Sequence, residues 1–261
     1  MVKKPLILVT NDDGITAPGI RTLIDVMKEL GDVVVVAPDS PQSGMGHAIT
    51  INDALYCDPV QLKASEDHQE YSCSGTPADC VKLATQEIMK RKPDLCVSGI
   101  NHGSNSSINV IYSGTMSAAV EAGTEGIPAI GFSLLDYSLN ADFKPTKKFV
   151  KAITQKVLEE GLPKGVVLNV NLPKLSEDDI KGVKICRQAK AHWVENFDKR
   201  TNPQGRDYYW LTGEFINEDQ GEDTDEWALA NGYVSVVPVQ FDLTAHHVVQ
   251  DLNSWGLNKV S

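Results

Sequence analysis

Short apolar runs, each cut off by polar turn residues and followed by a helical pattern, recur through the first half of this chain. "PLILVT" ends in Asn11-Asp12-Asp13-Gly14, and "DVVVVAPD" is followed by the polar "SPQSGMGH". An apolar run without alternation suits a strand buried on both faces. "APGIRTLIDVMKELG" reads as a helix opened by Pro18 and stopped by Gly31. "TPADCVKLATQEIMKRKP" has apolar positions at helical spacing, with Thr76 as N-cap. "PDLCVSGIN" and "PAIGFSL" are further strands, separated by the small-residue helix "SGTMSAAVEAGTEG". Alternation of this kind implies an α/β fold: a doubly wound, mostly parallel sheet with right-handed crossovers.

Past Ser138 the pattern changes. "KPTKKFVKAITQKVLEEG" is an amphipathic helix, and "GVVLNVNLP" is the last regular strand. From Lys181 onward, "GVKICRQA", "RDYYWLTGEF" and "YVSVVPVQFDLT" alternate and are rich in aromatic residues, which is hairpin chemistry. The expected organisation is a core over residues 1–180, with 181–261 forming a hairpin extension packed on it, one structural domain overall. An isolated hairpin is marginal in water, so the aromatic segment predicts a partner subunit that covers it.

Charge limits the partners. The formal net charge of -11 repels nucleic-acid backbones and anionic membranes, so neither a duplex nor a bilayer is expected as a partner. No run approaches the ~20 apolar residues of a membrane span. The opening "MVKKPLILVT" looks like a leader only until Asn11-Asp12-Asp13 cuts it short. The 5 cysteines form no CxxC pair, which suits free thiols in a reducing, cytoplasmic setting.

In an open parallel sheet, ligands bind outside the carboxyl ends of the strands, which is where the polar clusters fall. Asp12 and Asp13 alone would make an ordinary Asx turn. Two carboxylates in a partly dehydrated turn repel each other, however, so one takes up a proton or a cation binds. Mg²⁺ or Mn²⁺ suits carboxylate, hydroxyl and amide oxygens. Ser43, with Gly44, follows the second strand, and Asn101 follows "LCVSGI"; both would converge on the aspartates' rim. Ser113-Gly114-Thr115 opens a helix, whose N–H groups and dipole favour an anion. A cation and a helix N-terminus together equip a negatively charged protein for phosphate monoesters. His47, His102, His246 and His247 lack a second ligand at metal spacing, so each is more often a hydrogen-bonded structural residue than a catalyst. His47 nonetheless lies near enough to Ser43 to touch substrate, and the sequence assigns no role to His246 or His247. No GxGxxG, GxxxxGK[ST] or GxSxG motif is present.

The segments "TNDDGI", "VVAPDSPQSGMGHAIT", "CSGTPADCV", "VSGINHGSN", "YSGTMSAA" and "GYVSVVPVQFDLTAH" together resemble the stationary-phase survival protein SurE family, in order through nearly the whole chain. The resemblance implies a Rossmann-like core whose C-terminal hairpin region exchanges between subunits of a homodimer or homotetramer. It also implies a 5′/3′-nucleotidase that uses one divalent metal per subunit to release phosphate from nucleoside monophosphates, with some action on short polyphosphates. Carried over by motif, the metal ligands fall on Asp12, Asp13, Ser43 and Asn101. Phosphate or substrate contacts fall on Asn11, Gly44, Asn105, Ser113, Gly114 and Thr115, and the catalytic group is Asp12, Asp13 and Asn11. Relatives commonly carry Gly and Asp where this chain has Ser107 and Asn109.

The expected reaction is therefore phosphomonoester hydrolysis, with one aspartate open to a role as general base or nucleophile. Two rivals stand beside it. An aspartyl-phosphate phosphotransferase also begins with Asp after a first strand but needs its second Asp two positions on. A nucleotide sensor would keep the pocket without turnover.

Overall fold

The computed structural model describes residues 4–60, 68–138 and 140–257. Its first strand, β1 (Leu6–Thr10), divides its side chains between two apolar layers, Ile7 and Val9 in one and Leu8 in the other. With both faces covered, the run needs no polar positions. α1 (Pro18–Lys28) buries Ile20, Leu23, Ile24 and Met27 at helical spacing, and Pro18 sits in its first turn. β2 (Asp32–Pro38) returns parallel to β1 and exposes Asp32 alone.

β3 (Cys57–Val60) and β4 (Gln69–Cys73) form an outer antiparallel pair, with β4 parallel to β2. α2 (Pro77–Leu83) opens on the expected Thr76 cap, closed into a capping box by Asp79. It then gives way to a π turn over Ala84–Ile88, so the longer helix that the apolar spacing suggests is cut short. β5 (Leu95–His102), α3 (Gly114–Thr124), β6 (Ala129–Leu134), α4 (Lys147–Glu160) and β7 (Val166–Leu172) continue the alternation. α1 and α4 cover one face of the sheet, while α2 and α3 cover the other.

The strands β4-β2-β1-β5-β6-β7 lie side by side and run parallel. The chain winds outward from β1 through β2 to β4, returns beside β1 as β5, and then winds the other way. This reversal leaves a crevice outside the C-terminal ends of β1 and β5. A bulge shapes its wall. β5 pairs with β6 at Ser98–Gly131 and next at Asn101–Ser133, so two residues of β5 oppose one of β6. Gly99 supplies the φ of +126° found there, and the bulge re-aims the chain just before Asn101.

β8 (Val183–Ile185), β9 (Ala191–Thr201), β10 (Asp207–Asn217), α5 (Asp225–Ala230), β11 (Val234–Gln240) and α6 (His246–Asn253) follow. The hairpin reading holds for β9 and β10, which pair antiparallel along their whole length. It does not extend to their neighbours. β11 lies antiparallel to β7, and β8 lies parallel to β11, so both belong to the nine-stranded main sheet. Val234 and Val236 account for this, because they complete the apolar layer under α1 and α4. α6 follows the aromatic strand segment with none of its residues buried.

Candidate active site

The polar clusters that close β1, β2 and β5 meet at the reversal. Asp12, Ser43, Gly44, Asn101, Asn105 and Ser113 are among the residues lining one cavity of about 280 Å³. That volume is near the lower end of small-molecule sites, which begin at about 300 Å³.

Asp12 is buried at the end of β1, and its Oδ1 accepts a 2.5 Å hydrogen bond from Thr115 Oγ1. Burial pushes its pKa up to about 6, the neighbouring Asp13 charge adds to the effect, and hydrogen bonds from Thr115 oppose it. Such a carboxylate is short of positive charge. Asp13 Oδ2 accepts the His102 backbone N–H at 3.2 Å and lies 3.1 Å from His102 Nδ1. His102 in turn packs edge-on against Phe143, so this histidine holds Asp13 in place.

Two asparagines present oxygen rather than nitrogen. Asn101 Nδ2 donates to the Gly103 carbonyl at 3.1 Å, which fixes the amide and leaves Oδ1 as the end able to meet a cation. Asn11 Nδ2 donates to the Gly14 carbonyl at 2.9 Å, and its Oδ1 is buried with no hydrogen-bond partner. An unpaired buried acceptor costs free energy unless a ligand or ion meets it. Asn105 is locked through its N–H to Asn171 Oδ1 and its amide to Ser133 Oγ, each at 2.8 Å.

Ser43 and Gly44 ride on an exposed loop tied down at several points. Gln42 N–H donates to the Asp12 carbonyl at 2.7 Å, and Gly46 N–H donates to the Tyr112 carbonyl. His47 Nε2 lies 2.8 Å from Glu121 Oε2 on α3, and Thr50 donates to Asp79 at the start of α2. His47 is thus an anchor for the loop. His246 pairs with Asp242 at 2.8 Å, and His246 and His247 are both exposed.

Ser113 caps α3 by accepting the Met116 N–H at 3.0 Å, and Gly114 lies against the Asp12 side chain. Thr115, a phosphate contact by resemblance, donates its hydroxyl to Asp12 and so also braces the carboxylate.

The candidate metal donors lining this cavity are all oxygen: the Asp12 carboxylate, the Ser43 hydroxyl and the Asn101 carbonyl, while Asp13 follows Asp12 in the chain but is not among the lining residues. Such a set fits a hard divalent ion. Among the described residues no group of three or more His, Cys, Asp or Glu that could hold a metal ion is assembled, so serine and asparagine oxygens have to complete the set.

The model of the family described as Survival protein SurE matches residues 7–195. A protein of Christiangramia forsetii named 5′-nucleotidase SurE is 80% identical over 98% of this chain and 98% of its own length. A protein of the same name from Bacteroides fragilis is 50% identical over 98% of this chain and 99% of its own. The crystal structure of the SurE protein from Aquifex aeolicus superposes with a TM-score of 0.83, at 42% identity, covering 97% of this chain and 100% of that one. The chain belongs to the SurE family.

The matched span, residues 7–195, contains Asp12, Ser43 and Asn101. Two lining residues of this SurE cavity, Tyr137 and Trp193, carry no local sequence signal. One lies beyond β6 and the other on β9, in stretches where aromatic residues read as hairpin or loop. No helix among the described residues is long and apolar enough to cross a membrane.

Proposed function

We propose that this chain is a divalent-metal-dependent phosphomonoesterase that hydrolyses nucleoside 5′- and 3′-monophosphates, with short polyphosphate as a secondary substrate. The observation that carries this reading is the single cavity that brings Asp12, Ser43 and Asn101 together with Ser113 at the head of α3. The printed names of the relatives, 5′-nucleotidase SurE, support the same class of reaction.

One Mg²⁺ or Mn²⁺ per subunit would be held by Asp12, Asp13, Ser43 and Asn101. Bound there, it supplies a Lewis acid for a phosphoryl oxygen and lowers the pKa of a water. The chain's own groups divide the remaining work. Thr115 and His102 keep the two carboxylates oriented, and the Asn101 amide is held oxygen-outward by Gly103. The positive end of α3, capped by Ser113, attracts the phosphate in a protein whose net charge would otherwise repel it. Gly44 lines the same cavity, and Asn11, preceding Asp12 in the chain, keeps a buried unpaired Oδ1.

A homo-oligomer, dimer or tetramer, follows from the aromatic surface of β9 and β10. Phe197, Tyr209, Trp210 and Leu211 are all more than half exposed, more than a lone hairpin tolerates in water.

Phosphate release from purified protein, measured with Mg²⁺ or Mn²⁺ and again after EDTA, tests the reading. Turnover of a nucleoside monophosphate that stops on chelation and returns with metal is expected. Turnover unaffected by chelation would remove the metal from the scheme, and nucleotide bound without phosphate release would make the protein a sensor.

A further inference from the structure

Tyr137 and Trp193 are exposed aromatic side chains held in fixed positions. Tyr137 is 74% exposed, yet its hydroxyl accepts the Ser104 N–H at 3.2 Å. Its ring lies on the backbone of Gly103, where a Cβ would come within 2.3 Å of the ring carbon Cε1. Only glycine allows that approach. Trp193 is 42% exposed, and its indole N–H donates to Asn109 Oδ1 at 2.8 Å. Phe215 supports it edge-on, with ring centroids 5.5 Å apart.

An exposed ring without such ties samples several rotamers, and a ligand must pay the ordering cost on binding. Here each ring is tethered at its polar atom while part of its surface stays open, most of it for Tyr137 and less than half for Trp193. Both rings line the same cavity as Asp12, Ser43 and Asn101, so they stand beside the phosphate end of the proposed substrate. Around an acidic protein, a neutral planar group gains more from stacking than from charge, and stacking is indifferent to base identity. Binding of such a remote, non-reacting group also orients the reacting one.

We propose that Tyr137 and Trp193 form a nucleobase subsite, built jointly by the core and the β9–β10 hairpin, that sets the preference for nucleotides over base-free phosphomonoesters. The subsite rests on the phosphomonoesterase reading for its phosphate end, but base binding can be measured separately.

The test compares kcat/KM for adenosine monophosphate and for ribose 5-phosphate in wild type, Tyr137→Ala and Trp193→Ala. The nucleotide-to-sugar ratio is expected to fall about tenfold in each variant, the scale of losing one stacked ring, mainly through a higher KM for the nucleotide. Ribose 5-phosphate turnover reports whether each variant is folded. An unchanged ratio overturns the proposal, whether both activities hold or both fall together. If wild type releases phosphate from neither substrate, the phosphomonoesterase reading fails, and quenching of tryptophan fluorescence by adenosine then decides the subsite. Quenching that disappears in Trp193→Phe supports it. Absent quenching, or quenching that survives this substitution, sinks it.

Discussion

β2 and β10 are both rich in bulky side chains, but they end in opposite environments. In β2 only Asp32 is exposed, whereas in β10 the first eight residues are. The difference lies in what each strand is given to pack against. The crossover helices α1 and α2 lie on opposite faces of the parallel sheet, so a strand there is covered twice by its own chain. β10 pairs with β9 alone, and among the described residues the outer part of that ribbon keeps Phe197, Tyr209, Trp210 and Leu211 more than half exposed. Apolar content therefore marks a core in one place and, on the proposed reading, a subunit interface in the other.

Substitution of one large ring in each region gives the sharpest form of this contrast. Phe132, fully buried in β6, should cost about 3–5 kcal/mol when changed to Ala, measured by denaturant unfolding. Trp210→Ala, at a 59% exposed position, should leave protomer stability within about 0.5 kcal/mol and instead weaken self-association in light scattering or sedimentation. Equal losses of stability at the two sites would mean that both strands are buried alike within the protomer. A wild-type protein that stays monomeric at micromolar concentration would remove the interface.

Next in size is Asp12→Asn, which tests whether the edge of the covered sheet is the working part. Activity should drop about a hundredfold or more, the usual scale for removing one preorganised charge from a site. The melting temperature should not fall, because the substitution removes a buried charge and keeps an oxygen for Thr115. Wild-type turnover with metal supplied would contradict the site.

The smallest expected effect concerns the loop that carries Ser43. Burial raises the Asp79 pKa, but hydrogen bonds from Thr50 and Thr76 outweigh it and hold the carboxyl below its ordinary range. The anionic form is favoured in the folded state, so this contribution is complete above the ordinary carboxylate pKa. It is lost as pH falls through the lowered value. Asp79→Asn should cost about 1 kcal/mol at neutral pH, and the difference from wild type should shrink in acid. A pH-independent difference would show that only the cap geometry matters.

Much of the core was legible because its signals are local. β-branched runs gave strands, Pro18, Thr76 and Ser113 marked helix starts, and polar clusters at strand ends pointed to the reversal beside β1. The 3.6 and 2.0 periods of helix and strand are properties of neighbouring residues, so they can be read without the fold.

Other features joined residues far apart. The Asp13–His102 contact spans 89 residues, Thr115–Asp12 spans 103 and Trp193–Asn109 spans 84. No local pattern distinguishes a threonine that meets phosphate from one that braces an aspartate. Nor did alternation show that β8 and β11 would enter the main sheet while β9 and β10 stood apart, since all of them suit a strand. Sequence determined which segments become strands and helices and which residue chemistries crowd the strand ends, because short-range sterics and hydrophobic period act within a few residues. Tertiary structure decided which face each strand finds and which partner each polar atom meets, because those outcomes depend on apolar layers assembled from the whole chain.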